Sequence, residues 1–339
     1  MRRIQKGKNK SLKKLKAEYY KLLNRDKSKN SRYIEGRIDD VYHKSVGDEK
    51  EFWDEFRKNG YKLLKKVCMG TPAELNWLKK HIGALIDSYN LGPLYEFNSK
   101  KKVVSTAFGE RISYVFNYEG FRSSRKSKWL CDELDINICP YCNLEKLDRP
   151  SDGKLLFDLD HYFSKVRYPY FRLSFYNLIP SCHKCNRSYK TTIDFSLKKY
   201  THPYRDDFNS GYEFKLNRFP NNENDFSFEI ILKQKGAKKR LLHRCKNHSL
   251  DLGIETRYQE YKEHVMSVYN IYCEHPETKI DELYNLSISG HRVFNSKEMT
   301  QKRMLDCGQI PLSEEFINKK VAGKLKWDIA SYFQLNRRI

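Results

Sequence analysis

The chain has 339 residues, enough to bury a substantial core and to form two or three structural units. Its 65 Lys and Arg against 43 Asp and Glu give a formal net charge of +22, a field that attracts polyanions, nucleic acid before an acidic membrane surface or an acidic protein. With 24 Tyr and 19 Phe it is too aromatic for a disordered chain, and no apolar run is long enough for a transmembrane helix.

Residues 1–30 carry twelve Lys or Arg against two acids and form the expected basic N-terminal segment. Leu12, Leu15, Tyr19 and Leu23 fall at helical spacing. The alternatives are a basic helix laid along a phosphate backbone and a solvated, partly frayed terminus. The start Met1-Arg2-Arg3-Ile4 is basic with no apolar segment behind it, which is not a secretory signal and suggests a cytoplasmic protein.

Residues 31–128 read as a helical N-terminal domain. Phe52, Trp53, Phe56, Leu63 and Leu64 form an apolar stripe interrupted at Gly60. Thr71-Pro72-Ala73-Glu74 has the form of a capping box, with a helix running on to about Tyr89. Residues 129–200 carry the motifs treated below. Residues 201–339 read as a strand pair, Gly211–Leu216 and Phe226–Lys233, then helices over Leu252–Tyr272 and Ser313–Leu335. The fold class expected is α+β, mostly helical.

Nine cysteines in a reducing compartment are poor material for disulfides. Cys139-Pro-Tyr-Cys142 and Cys182-His-Lys-Cys185 instead offer two pairs of thiolates, each closing on one ion from a tight turn, the ligand set of a structural zinc. Cys68, Cys131, Cys245, Cys273 and Cys307 are expected as buried apolar residues. His202-Pro203-Tyr204 reads as an anchoring turn, and His243 and His248 lack a partner set for a metal.

Between the knuckles, Leu155 to His161 alternates as a strand ending on Asp160 and His161. Asn177-Leu178-Ile179-Pro180 opens a second strand, and Cys185-Asn186 leads into a short helix to about Lys190. Asp160 and Asn186 can converge on one divalent cation. An ideal strand points Asp160 and His161 to opposite faces, so both can serve one site only if the strand ends or bends there. Asp158 shares the face of Asp160 and is an alternative or supporting ligand.

These motifs, in this order over about fifty residues, resemble the HNH endonucleases with their ββα-metal finger. The resemblance implies a zinc-stapled finger and a metal-dependent nuclease that leaves 5′-phosphate and 3′-hydroxyl ends. His161, which titrates near neutrality, is then the general base, and Asp160 and Asn186 hold a hard cation, Mg²⁺ or Mn²⁺. Asn177 orients the loop that carries His161. Lys190, Lys165, Arg167 and Arg187 are expected on the nucleic acid. The aromatics Tyr168, Tyr170, Phe171 and Phe175 either stack on bases or pack the finger. Many family members have a proline soon after the histidine, where this chain has Tyr162-Phe163-Ser164-Lys165, which leaves the loop geometry open.

A further similarity, in Met1-Arg-Arg-Ile and the form Asn-Leu-Ile-Pro-Ser-Cys, is to Septu-type and retron-linked antiphage HNH nucleases. It implies a role in bacterial defence beside an ABC-type ATPase. DNA is the first substrate expected. Structured RNA of the tRNA type, and a non-catalytic zinc-finger nucleic-acid binding module, are the alternatives.

Overall fold

The structure, a computed structural model, describes residues 1–25, 33–150, 152–274, 277–288 and 291–335. The expected boundary between residues 30 and 31 lies outside these. The architecture is α+β, helices surrounding four separate two-stranded antiparallel sheets among the described residues. No helix among them is long and apolar enough to cross a membrane.

Helix α1 (Leu12–Leu23) starts at Ser11, whose hydroxyl accepts from the Lys14 amide. It buries Leu15, Tyr19, Tyr20 and Leu23, and the Tyr19 hydroxyl donates to the Leu173 carbonyl at 3.1 Å. Four such side chains, at about 1.5–3 kcal/mol each, dock this helix firmly despite its basic outer face. Helices α2 (Ile34–Lys44) and α3 (Gly47–Met69) pack together. Helix α3 breaks where the glycine stands: Asn59, Gly60 and Tyr61 all have φ between 53° and 64°. In α4 (Pro72–Ser88) the capping box forms as the sequence predicts, with Thr71 and Glu74 exchanging bonds. A short hairpin, β1 (Tyr95–Phe97) and β2 (Val103–Ser105), leads into α5 (Ala107–Val115), α6 (Tyr118–Arg122) and α7 (Arg125–Leu134).

Strand β3 (Asp158–His161) pairs antiparallel with β4 (Leu178–Ser181), placing Asp160 opposite Ile179 and His161 opposite Leu178. A seven-residue helical segment of π-type winding, Lys184–Lys190, follows β4. Strands β5 (Tyr212–Leu216) and β6 (Ile230–Gln234) form the next pair. The second starts four residues later than the alternation suggests. Helices α8 (Lys239–Asp251), α9 (Ile254–Tyr258) and α10 (Lys262–Glu274) come after it, so the single helix expected from Leu252 is divided.

The helix expected over Ser313–Leu335 is also divided. A 3₁₀ segment, Glu314–Lys319, precedes a helix at Gly323–Tyr332. Ala322 sits between them at φ +50°, and its amide donates to the Asn143 carbonyl at 2.8 Å. One aromatic-rich core runs through the chain, with Trp53, Tyr19, Tyr141, Tyr162, Tyr170 and Tyr258 among its largest buried members. Cys68, Cys131 and Cys245 are buried as expected. Cys273 and Cys307 are exposed, because their helices turn those positions outward.

Candidate active site

The four motif cysteines form one buried cluster. Their sulfurs lie within 4.8 Å of one another, and Cys142 and Cys182 are 3.9 Å apart. A tetrahedral zinc with bonds of about 2.3 Å has sulfur–sulfur edges of about 3.8 Å, so the thiols are already near the spacing that zinc requires. The first knuckle closes because Asn143 takes φ +60° and its amide reaches the Cys139 carbonyl at 2.8 Å. Amides of Leu144, Cys182 and Cys185 donate to the sulfurs of Cys142, Cys139 and Cys182 at 3.4–3.5 Å. The cluster can hold a structural ion such as zinc. The Asn143 side chain ties the knuckle to the C-terminal region, donating to the Ile317 carbonyl at 3.1 Å and accepting from the Lys324 amide at 2.7 Å.

Arg257 on α9 adds a cation to this cluster, donating to Cys185 Sγ at 3.2 Å. Burial alone would depress its guanidinium. The nearby sulfurs of Cys185 and Cys142 more than offset burial and hold it above its ordinary range. His248 is the other hidden brace, linking Thr201 Oγ1 and the Tyr141 carbonyl, each at 2.8 Å. Both of its ring nitrogens are taken up by these contacts. His202 is likewise fully buried in its turn, where Asp206 accepts from its amide.

Strand β3 is pinned by α6. Tyr118 Oη donates to the Leu159 carbonyl at 3.0 Å, and Arg122 donates to the Phe157 carbonyl at 2.6 Å. Leu159 points into the core, which turns its two neighbours, Asp158 and Asp160, to the opposite face. Asp160 is 4% exposed, and both its oxygens are occupied. Tyr141 Oη donates to Oδ2 and Lys190 Nζ to Oδ1, each at 2.7 Å. Lys190 also donates to the His161 carbonyl at 2.6 Å. It lies buried beneath the strand and not on the outer surface.

Asn186 stands beside Asp158, not Asp160: its amide nitrogen donates to Asp158 Oδ2 at 3.0 Å. Arg187 clamps the same carboxylate through both Nε and Nη2, at 2.8 and 2.6 Å, and His183 Nδ1 reaches it at 3.0 Å. Burial works to raise the Asp158 carboxyl, but these donors outweigh burial and hold it well below the ordinary range.

His161 is held differently. Its Nε2 lies 3.0 Å from the Arg172 carbonyl, which can only accept, so Nε2 carries the proton. The Tyr118 ring packs against the imidazole edge-on, with centroids 4.4 Å apart. Burial, aided by Lys165, Lys190 and Arg172, pushes the imidazole well below its usual titration range against the opposing bond to the carbonyl. At neutral pH the ring is therefore uncharged, with its lone pair on Nδ1.

Asn177, fully buried, organises the connection between the strands. Its Oδ1 accepts from the Phe163 amide at 2.7 Å, and its Nδ2 donates to the carbonyls of Phe163 and Phe171 at 3.2 and 3.0 Å. Phe171 precedes Arg172, whose carbonyl anchors His161. The loop aromatics Tyr170, Phe171 and Phe175 are buried in the core, and Tyr168 packs against them.

A cleft of about 530 Å³ gathers Asp158, Asp160, His161 and Asn186 in its walls. Arg122, Lys165, Arg167, Arg187 and Lys190 line it too, five cations against two carboxylates, so the cleft itself favours a polyanion. Lys165 contacts Glu119 at 3.2 Å, and Arg167 donates to the Tyr95 hydroxyl at the same distance.

Tyr118, Arg122, Tyr141, His183 and Arg257 were not singled out for these contacts by sequence pattern. Tyr141 and His183 carried a signal, each by its place inside a knuckle, and His183 was open as a replacement for a thiolate but instead reaches Asp158. No protein-family model, curated protein or solved structure matches this chain.

Proposed function

We propose that the chain is an HNH-type, metal-dependent endonuclease that hydrolyses phosphodiester bonds, with DNA as its first substrate. The observation that carries this reading is His161. It is a buried neutral imidazole, anchored through Nε2 with its lone pair on Nδ1, in a cation-lined cleft shared with Asp160 and Asn186. His161 takes the proton from a water at Nδ1 while that water attacks phosphorus. Tyr141 and Lys190 hold Asp160 in place, and the cleft cations offset the charge of the bound backbone.

The donor types, a carboxylate and an amide oxygen, are those a hard divalent cation takes, but Asp160 would have to exchange Lys190 or Tyr141 for the ion and Asn186 would have to turn from Asp158. Asp160 and Asn186 would hold Mg²⁺ or Mn²⁺, which supplies Lewis acidity at the phosphate and stabilises the departing 3′ oxygen. In the further similarity to antiphage nucleases, the chain would be the effector beside an ABC-type ATPase.

One observation favours a second reading, a zinc-finger nucleic-acid binding module without catalysis. Both carboxylates are already paired with cations of the chain itself, Asp158 with Arg187 and Asp160 with Lys190. Incubation of plasmid, single-stranded DNA and tRNA with Mg²⁺ or Mn²⁺ separates the readings. Cleavage by the wild-type protein, abolished in His161→Ala with binding retained, supports the nuclease and names its substrate. Binding with no cleavage of any of the three overturns it.

A further inference from the structure

The β1–β2 hairpin stands at the mouth of this cleft. Its register pairs Tyr95 with Ser105 and Phe97 with Val103, so these four side chains share one face. Val103 lines the cleft together with Asp160 and His161, which turns that face toward the site. Glu96 falls on the other face. Arg167 joins hairpin and cleft: it lines the cleft, bonds to the Tyr95 hydroxyl, and sets its guanidinium 4.9 Å from the Tyr95 ring and 5.5 Å from the Phe97 ring.

Phe97 is nevertheless 60% exposed, a large apolar ring left in water beside a guanidinium. The turn beyond it is tied by its own hydrogen bonds. Asn98 Oδ1 accepts from the amides of Lys100 and Lys102, each at 3.0 Å, and Lys101 adopts φ +56°. Lys100, Lys101 and Lys102 are all exposed, and none makes an ion pair among the described residues. An ordered turn that presents three unpaired ammonium groups next to an exposed aromatic matches the two demands of a single strand, phosphates to neutralise and a base face to stack on.

We propose that the β1–β2 hairpin is the strand-engaging arm of the site. Lys100 to Lys102 hold the phosphates of single-stranded DNA entering the cleft, and Phe97 stacks on an unpaired base next to the scissile bond. This rests on the nuclease reading for the site but not on its chemistry, and it predicts preference for unpaired over duplex DNA.

The test uses the full chain carrying His161→Ala, so that binding is measured without cleavage. Fluorescence anisotropy reports affinity for a labelled single strand, the same sequence as a duplex, and its RNA equivalent. Adding Phe97→Ala should weaken single-strand binding by about tenfold and leave duplex binding unchanged, and Phe97→Trp should restore it. Lys100→Ser, Lys101→Asn and Lys102→Ser together should weaken both and lower the slope of log K against log salt by about 2. RNA binding with the same dependence on Phe97 supports the arm, since stacking does not read the sugar. Single-strand affinity unmoved by Phe97→Ala, in a protein that binds DNA, overturns the arm and leaves the nuclease reading standing. No binding to any nucleic acid overturns both.

Discussion

Replacing Asn177 by Ala removes three hydrogen bonds at a position with no solvent access. Each is worth about 1 kcal/mol net, but the larger cost is what remains. The amide and carbonyl of Phe163 are left in the core without partners, at about 1–3 kcal/mol apiece where no water enters, while the Phe171 carbonyl keeps the Ser174 amide at 3.1 Å. Partial relaxation of the loop brings the expected loss to about 3–5 kcal/mol, a large share of the 5–15 kcal/mol that holds a typical domain. Urea unfolding followed by fluorescence should show this as a lowered midpoint with the zinc content of the folded protein unchanged. Asn177→Asp separates hydrogen bonding from packing. Its carboxylate can still accept from the Phe163 amide, but it faces two carbonyls with no proton to give. Asn177→Asp should therefore be at least as damaging as Asn177→Ala at pH 7 and should recover part of the deficit, relative to wild type, at pH 5, where a carboxylic acid can donate. An Asn177→Ala protein within about 1 kcal/mol of wild type would refute this account of the loop, and with it the argument that Asn177 steadies the Arg172 carbonyl under His161.

Three other outcomes follow from buried chemistry. Cys182→Ser, or chelation of the metal, should make the 139–190 region protease-sensitive and collapse near-ultraviolet dichroism, since a structural zinc contributes on the order of 10 kcal/mol to its own fold; an unchanged digestion pattern would contradict it. Stability should fall between pH 6.5 and 4, read as a drop in the denaturant midpoint. His248 and His202 are held down to about 4 and about 3 by burial, the unfolded chain binds protons first, and His248 alone accounts for about 3 kcal/mol; losses confined to pH below 4 would instead implicate carboxylates such as Asp158. Tyr141→Phe keeps the ring but strips Asp160 Oδ2 of its donor, so it should cost about 2 kcal/mol in the same assay, and a neutral result would mean that the 2.7 Å bond carries no energy.

How much of this was legible in the sequence depended on how far each cause reached along the chain. The capping box at Thr71, the break at Gly60 and both cysteine knuckles are set within four residues, and the sequence patterns placed them correctly. The division of the last helix was not legible. Its start is captured by Asn143, whose carbonyl and side chain take the amides of Ala322 and Lys324 from about 180 residues away. The N-terminal helix was legible in the spacing of Leu15, Tyr19 and Leu23, but its docking was not: its lysines dominate the composition, while the buried stripe of Leu15, Tyr19, Tyr20 and Leu23 decides where it sits. The partners of the carboxylates were equally hidden, since nothing local distinguishes a lysine bound for Asp160 from one bound for solvent.

The tension between Asp160 and His161 shows what tertiary structure adds. Strand geometry alone sends neighbouring side chains to opposite faces, and a continuing strand would have buried one of the two in the core. Strand β3 instead stops at His161. Beyond it the chain turns back under the control of Asn177, bringing the Arg172 carbonyl round to meet Nε2 while Asp160 stays fixed between Tyr141 and Lys190. Lys190 bonds to both residues at once, to the carboxylate of Asp160 and to the main-chain carbonyl of His161, so the end of the strand and the end of the following helical segment are tied at one point. The imidazole and the carboxylate therefore reach the same cleft because the strand ends where it does, and the residue that makes that ending rigid is the lysine that the sequence pattern placed on the phosphate.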